Sequence, residues 1–203
     1  MSIATRKVLV SGFEPFAGSH INPSQKVVEA LSQLTIEGIE LDAVVLPVEF
    51  ERAPKILLRE IENFKPEIVI AFGQAEGRTS ITPEKIAINL DNARIADNAG
   101  DMRKMQTIDP EGSDGYFTTL PVEKIIEALK NEAIPAELSL SAGTFVCNHL
   151  FYVMQKALQG TSTKSGFVHV PLLSEQRSEF PGQPTMTIDE LIRGARTVIL
   201  SAL

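Results

Sequence analysis

The sequence predicts an α/β fold, a single domain with a twisted, largely parallel sheet flanked by helices. Short apolar runs rich in β-branched residues alternate along the chain with longer segments of helical periodicity. Residues 68–72 (IVIAF) are apolar without interruption, as a strand covered on both faces requires. At 203 residues the chain sits at the upper end of one compact domain, so residues 1–203 are taken as one catalytic unit.

The elements follow in order. Residues 7–11 (KVLVS) form the first strand and run into the loop GFEPFAGSHINPS. Asn22-Pro23-Ser24 then reads as a helix start, with Asn as cap and Pro in the first turn, leading to Val27, Val28, Leu31 and Leu34 at helical spacing. Residues 41–47 are a second strand, and 50–64 a helix with Leu57, Leu58, Ile61 and Phe64 on one face. The strand at 68–72 ends in the turn 73–78 (GQAEGR), at the strand edge where open α/β sheets bind ligands. Residues 85–90 (KIAINL) read as a strand. Residues 92–119 lack periodicity, and a loop that long reads as a substrate lid or an interface arm. A helix at 121–131, a strand at 138–142, a helix at 147–158, a strand at 166–171 and a closing helix at 188–203 complete the chain. No internal repeat or low-complexity linker divides it.

Composition narrows the function. Acidic residues outnumber basic ones, 26 to 19, and the formal charge of -7 gives no general attraction for nucleic acid or anionic membranes. One cysteine excludes an intrachain disulfide and a site of several thiolates. No apolar stretch approaches the roughly 18–20 residues of a membrane span, and the N-terminal stretch has no targeting pattern, so a soluble cytoplasmic protein is expected. HExxH, GxxxxGK[ST], GxSxG and GxGxxG patterns are all missing, so no metal or other cofactor is expected.

The lone Cys147 falls where a helix begins, and a thiol there meets unpaired N–H groups that favour thiolate. It is either a nucleophile or a small buried hydrophobe. Of three histidines, His149 lies two residues beyond Cys147, on a different helix face. His20 sits in a polar loop with no clear role. His169 stands in the apolar run GFVHVP and needs a polar partner, as a base at the strand end or as a satisfied core residue. Glu84, directly after Thr82-Pro83, is either the carboxylate that orients such a base or a surface residue.

Four blocks in order, SGFEPFAGSHINPS, GQAEGR with ITPEKIAINLDNARIADNAG, SAGTFVCNHLFY, and GFVHVP with PLLSEQ, make the chain resemble the pyroglutamyl peptidase I family of cysteine peptidases over essentially its whole length. The resemblance implies a triad of Cys147 as nucleophile, His169 as base and acid, and Glu84 as its orienting carboxylate. It also implies an aromatic pocket of Phe13, Phe16 and Phe145, lactam recognition by Gln74 with Asn22 as a further candidate, and an oxyanion site from Arg94 and the Cys147 N–H. Peptides carrying N-terminal pyroglutamate are the implied substrates, and a homotetramer is implied. Glu76 departs from the family's usual glycine and is expected to point outward. Two rivals stay open at this point: a nucleoside-phosphorylase-like transferase, since that group has a similar fold, and a catalytically silent binder of pyroglutamyl peptides.

Overall fold

The computed structural model describes residues 5–203; residues 1–4, part of the stretch searched for a targeting pattern, lie outside the described residues. The β-branched runs become a five-stranded sheet. Its members are β1 (Arg6–Phe13), β2 (Ile39–Leu46), β3 (Ile68–Gln74), β4 (Thr82–Pro83) and β7 (Lys164–Val170), in the order β2-β1-β3-β7-β4. All pairs are parallel except the last, where the two-residue β4 runs antiparallel to β7. The central strands are buried on both faces, which is why IVIAF carries no polar alternation.

The connecting helices cover both faces. On one side α1 (Pro23–Leu31), α3 (Val122–Asn131) and α5 (Ile188–Ala202) enclose Val8, Val10, Ile68, Ile70 and Phe72. On the other, α2 (Arg52–Phe64) and α4 (Val146–Leu158) pack over Leu9, Val69, Ala71 and Phe167. The start of α1 forms as its sequence dictates: Asn22 is extended, Pro23 opens the helix, and Asn22 Oδ1 accepts from the Ser24 N–H at 3.0 Å. The helix stops at Leu31, so Leu34 lies beyond it and is 40% exposed rather than on the buried face.

Three expectations need correction. Residues 138–142 are not a strand: the Leu/Ser alternation lies against β4, which is too short to continue a ladder, and only the single bridge of Ser139 to Glu84 forms. Leu138 and Leu140 are exposed accordingly. The strand expected at 85–90 shrinks to β5 (Ile86–Ile88), which leaves the main sheet and pairs antiparallel with β6 (Gly115–Phe117). The stretch 92–119 therefore contains a strand. It is also pinned by a bridge between Asp91 and Gln106 and by Arg103, which contacts Asp91, Asp101 and Glu51. Short β8 (Leu172–Leu173) and β9 (Thr185–Met186) form a further parallel pair after the sheet. Among the described residues, no helix is long and apolar enough to cross a membrane.

Candidate active site

The place of Cys147 is set by a glycine. α4 begins at Val146 after an extended Phe145, which puts Cys147 in the first turn, where backbone N–H groups have no intrahelical acceptor. A Cβ on Gly73, near the end of β3, would lie only 3.1 Å from Cys147 Sγ and 2.7 Å from the ring tip of Phe167. The thiol thus occupies space that any side chain at position 73 would fill. Gly73 is also the register partner of His169 on β7, one strand spacing away. Thiol and imidazole are brought to the same strand ends by the sheet register.

His169 is 4% exposed and Glu84 fully buried. β4 places them together: Thr82 pairs with His169, and the Glu84 N–H donates to the Phe167 carbonyl at 2.9 Å, extending the pairing past the proline. His169 Nδ1 then lies 2.8 Å from Glu84 Oε1. With Nδ1–H donating to the carboxylate, Nε2 carries the lone pair that a base needs. The Arg78 guanidinium reaches the same Oε1 at 3.0 Å, and also donates to Thr82 Oγ1 and the Ser141 carbonyl. Burial acts to raise the Glu84 pKa, but the His169 hydrogen bond and charge, with smaller help from Ser139 and Arg78, hold it below the ordinary carboxylate value.

The thiol departs from the helix-start expectation. Burial, reinforced by the Glu84 carboxylate, pushes it up to about 12, outweighing Arg78 and the Cys147 backbone N–H, which act to lower it. The resting group is therefore a thiol. Cys147 and His169 share no hydrogen bond among the described residues; such contacts are often long in free enzymes and tighten with substrate.

Beside the thiol is a narrow cavity lined by Phe13, Phe16, Asn22, Val48, Gln74, Phe145, Val146 and Cys147. Its aromatic wall is braced from behind. Phe145 lies 6.1 Å from Phe16 and meets Phe50 edge-on at 5.4 Å, while Phe13 stacks towards Phe167 at 6.4 Å. Asn22, besides capping α1, donates from Nδ2 to the Glu14 carbonyl and so fixes the FEPF loop. Gln74 Oε1 accepts from Gln176 Nε2 at 3.1 Å. A wider depression outside α3, lined by Glu123, Ile126, Glu127, Lys130, Asn131 and Leu138, offers no nucleophile with a base.

Cys147, His169, Glu84, Phe13, Phe16, Asn22, Gln74 and Phe145 thus converge on one region. The Arg94 side chain is exposed and makes no hydrogen bond or ion pair among the described residues. Its segment is tied to the start of α4, since the Asn92 N–H donates to the Thr144 carbonyl and Thr144 Oγ1 to the Asn92 carbonyl. Glu76 is exposed as expected, and the left-handed position of the turn is Gly77, at φ 82°, so the departure strains nothing. His20 is exposed. His149 is a structural residue: its Nδ1 lies 2.8 Å from Asp91 Oδ2, which also accepts from Arg103.

Arg78, Gly73 and Gln176 were not singled out from the sequence. Arg78 had a signal, because a buried carboxylate needs a cation and the GQAEGR turn supplies one. Among the described residues, no group of three or more His, Cys, Asp or Glu side chains is arranged to hold a metal ion.

Residues 6–203 match the pyroglutamyl peptidase family. The chain is 44% identical to pyrrolidone-carboxylate peptidase of Vibrio vulnificus over 198 residues, covering 98% of this chain and 93% of the relative. It is 42% identical to the Bacillus thuringiensis protein of the same name, covering 96% and 91%. The crystal structure of pyroglutamyl peptidase I from Bacillus amyloliquefaciens is similar, with a TM-score of 0.94, 36% identity, and 98% of this chain and 95% of that chain covered.

Proposed function

The chain belongs to the pyroglutamyl peptidase family of cysteine peptidases, and on that premise we propose that Cys147, His169 and Glu84 carry out its removal of N-terminal pyroglutamyl residues. The observation that carries this reading is the placement of the one thiol over Gly73, beside the Glu84-oriented His169 and at the mouth of a small aromatic cavity.

The chemistry follows from the groups present. The Cys147 proton moves to His169 Nε2 as Sγ attacks the carbonyl carbon of the pyroglutamyl residue, so no free thiolate has to persist at a site that disfavours it. Glu84 stabilises the imidazolium formed. The N–H groups opening α4 receive the oxyanion, with Arg94, carried on the neighbouring loop, as the further donor that the family resemblance assigns. His169 returns its proton to the departing amine, and water activated by the same imidazole then cleaves the thioester and releases 5-oxoproline.

The cavity suits the substrate because its lining bears no charged side chain. A pyroglutamyl ring is a neutral lactam, accepted by Phe13, Phe16 and Phe145 on its faces and by Gln74 and Asn22 at its polar edge. An ordinary N-terminal ammonium would be desolvated there without a counter-ion. Residues from Phe13 to His169 contribute, which supports treating 1–203 as one catalytic domain. A chemistry that needs one unoxidised thiol supports a reducing compartment, the cytoplasm. The homotetramer implied by the family would use apolar groups such as Met102, Met105 and Phe117, exposed on the 92–119 segment. The phosphorylase-like reading is not favoured, since the matched relatives are peptidases.

Release of the amine from a pyroglutamyl chromogenic amide, and its abolition by Cys147→Ala and by iodoacetamide, is the test. Full turnover by Cys147→Ala would remove Cys147 from the mechanism, and binding without turnover by the wild type would leave only a binder.

A further inference from the structure

Gln176 lies outside the cavity lining, in the 3-10 turn Ser174–Ser178 that follows β8, and is completely buried. The orientation of its amide is determined by the backbone. The Leu173 N–H, which can only donate, lies 2.9 Å from Oε1, so that atom is the oxygen and Nε2 is the donor. Nε2 faces the Ile21 carbonyl at 3.3 Å, Ser19 Oγ at 3.3 Å and Gln74 Oε1 at 3.1 Å. The second amide is fixed in turn: the atom Gln74 presents to Gln176 has to be its oxygen. Its Nε2 makes no hydrogen bond among the described residues, and Gln74 lines the cavity.

We propose that Gln176 is a positioning residue for specificity: by donating to Gln74 Oε1 it holds the Gln74 amide so that the cavity meets its ligand with a donor, matched to a lactam carbonyl. This rests on the proposed pyroglutamyl specificity and deepens it. A flipped Gln74 would set oxygen against the lactam oxygen, and a buried polar group without its partner is what makes such a site discriminate. A positively charged amine meets only a donor when Gln74 is held this way, whereas a flipped Gln74 would offer it an acceptor. The relay runs from the Leu173 backbone through two neutral amides to the ligand, so selectivity does not depend on a charge inside the pocket.

Gln176→Glu tests the relay. One carboxylate oxygen still accepts from the Leu173 N–H, but the other can only accept, so Gln74 must turn its Nε2 to it and offer Oε1 to the cavity. When the introduced carboxyl group is protonated, its hydroxyl can again donate to Gln74 Oε1. The readouts are KM for a pyroglutamyl amide and the thermal shift given by 2-pyrrolidinone, the bare lactam, from pH 5 to 8. Both are taken relative to wild type, which controls for Glu179, the carboxylate that accepts from Ser19 Oγ. At pH 8 the variant should bind both ligands about tenfold or more weakly, with the deficit shrinking as pH falls. A deficit below twofold, or one independent of pH, overturns the positioning role alone, provided the wild type turns over the amide. A wild type that neither binds the lactam nor turns over the amide overturns the proposed function with it. If the acidic variant does not fold, Gln176→Met, which introduces no charge and releases the Gln74 amide along with the Leu173, Ser19 and Ile21 contacts, should raise KM severalfold at every pH, and an unchanged KM overturns the proposal.

Discussion

Gly73→Ala is the substitution in which structure and rate should separate most clearly. The added methyl would lie 2.7 and 2.8 Å from two ring carbons of Phe167 and 3.1 Å from Cys147 Sγ. Comfortable carbon contacts lie at about 3.5–4.0 Å, so the ring must retreat by about 1 Å and the thiol by about half of that. Phe167 is fully buried between Phe13 and Phe151 and contacts the His169 ring at a centroid distance of 4.8 Å. Its retreat therefore disturbs both partners of the proposed proton transfer. Overpacking of this kind costs about 1–3 kcal/mol of stability, which leaves a folded protein. A displacement of about 1 Å of reacting groups lowers rates by about 100-fold. The assay is kcat on a pyroglutamyl chromogenic amide, with a thermal melt of the same preparation. A variant that melts within a few degrees of wild type should show kcat reduced by about 30-fold to 300-fold. A rate within threefold of wild type would refute the argument that Gly73 exists to seat the thiol.

Alkylation of the free enzyme by iodoacetamide should accelerate about tenfold per pH unit from pH 7 to 10, because the thiol is pushed up to about 12; a plateau below pH 9 would contradict this. Glu84→Gln removes a charge that helps to hold the thiol protonated, so alkylation at pH 8 should rise while amide hydrolysis falls. Arg78→Met removes the cation at Glu84. Stability from the depressed Glu84 pKa is present above the unfolded value of 4.5 and lost as pH falls through the lower folded value. Raising the folded value should move acid unfolding, followed by circular dichroism, to higher pH, with a loss of about 2–3 kcal/mol at pH 7. Asp91→Ala leaves His149 and Arg103 with a buried partner missing and should cost about 3 kcal/mol in urea unfolding; a loss below about 1 kcal/mol would show the network to be dispensable.

The parts of this fold that were legible in the sequence are those with local signals. Residues 68–72 announce a doubly covered strand by composition, and Asn22-Pro23 announces a helix start by its own hydrogen bond and fixed φ. A strand of two residues has no period to read, so β4 was invisible, and with it the reason that Glu84 meets His169 across 85 positions of sequence. The Leu/Ser alternation at 138–142 showed the opposite error, a strand-like pattern with no ladder to join. In the site, the scarcity of Cys and His narrowed the chemistry to a few residues, and the family resemblance supplied their roles. Arg78 and Gln176 act through side-chain contacts between distant segments, for which local spacing has no vocabulary.

Charge is segregated across His169, and this separates the two tasks of the site. Arg78 and Glu84 lie on the Nδ1 side of the imidazole, where a buried ion pair fixes the tautomer and stabilises the imidazolium. The cavity on the thiol side is lined by aromatic, aliphatic and amide groups alone. Moving either charge across would serve neither task. A carboxylate in the cavity would welcome the ammonium of ordinary N-termini and oppose ionisation of the thiol more strongly, while a guanidinium there would attract peptide carboxylates. Under the proposed function, substrate choice rests on the neutrality of the pocket and on the direction of one amide, and proton transfer rests on a charge pair set behind the base. Substitutions on the Nδ1 side should act mainly on kcat, and those around Gln74 mainly on KM.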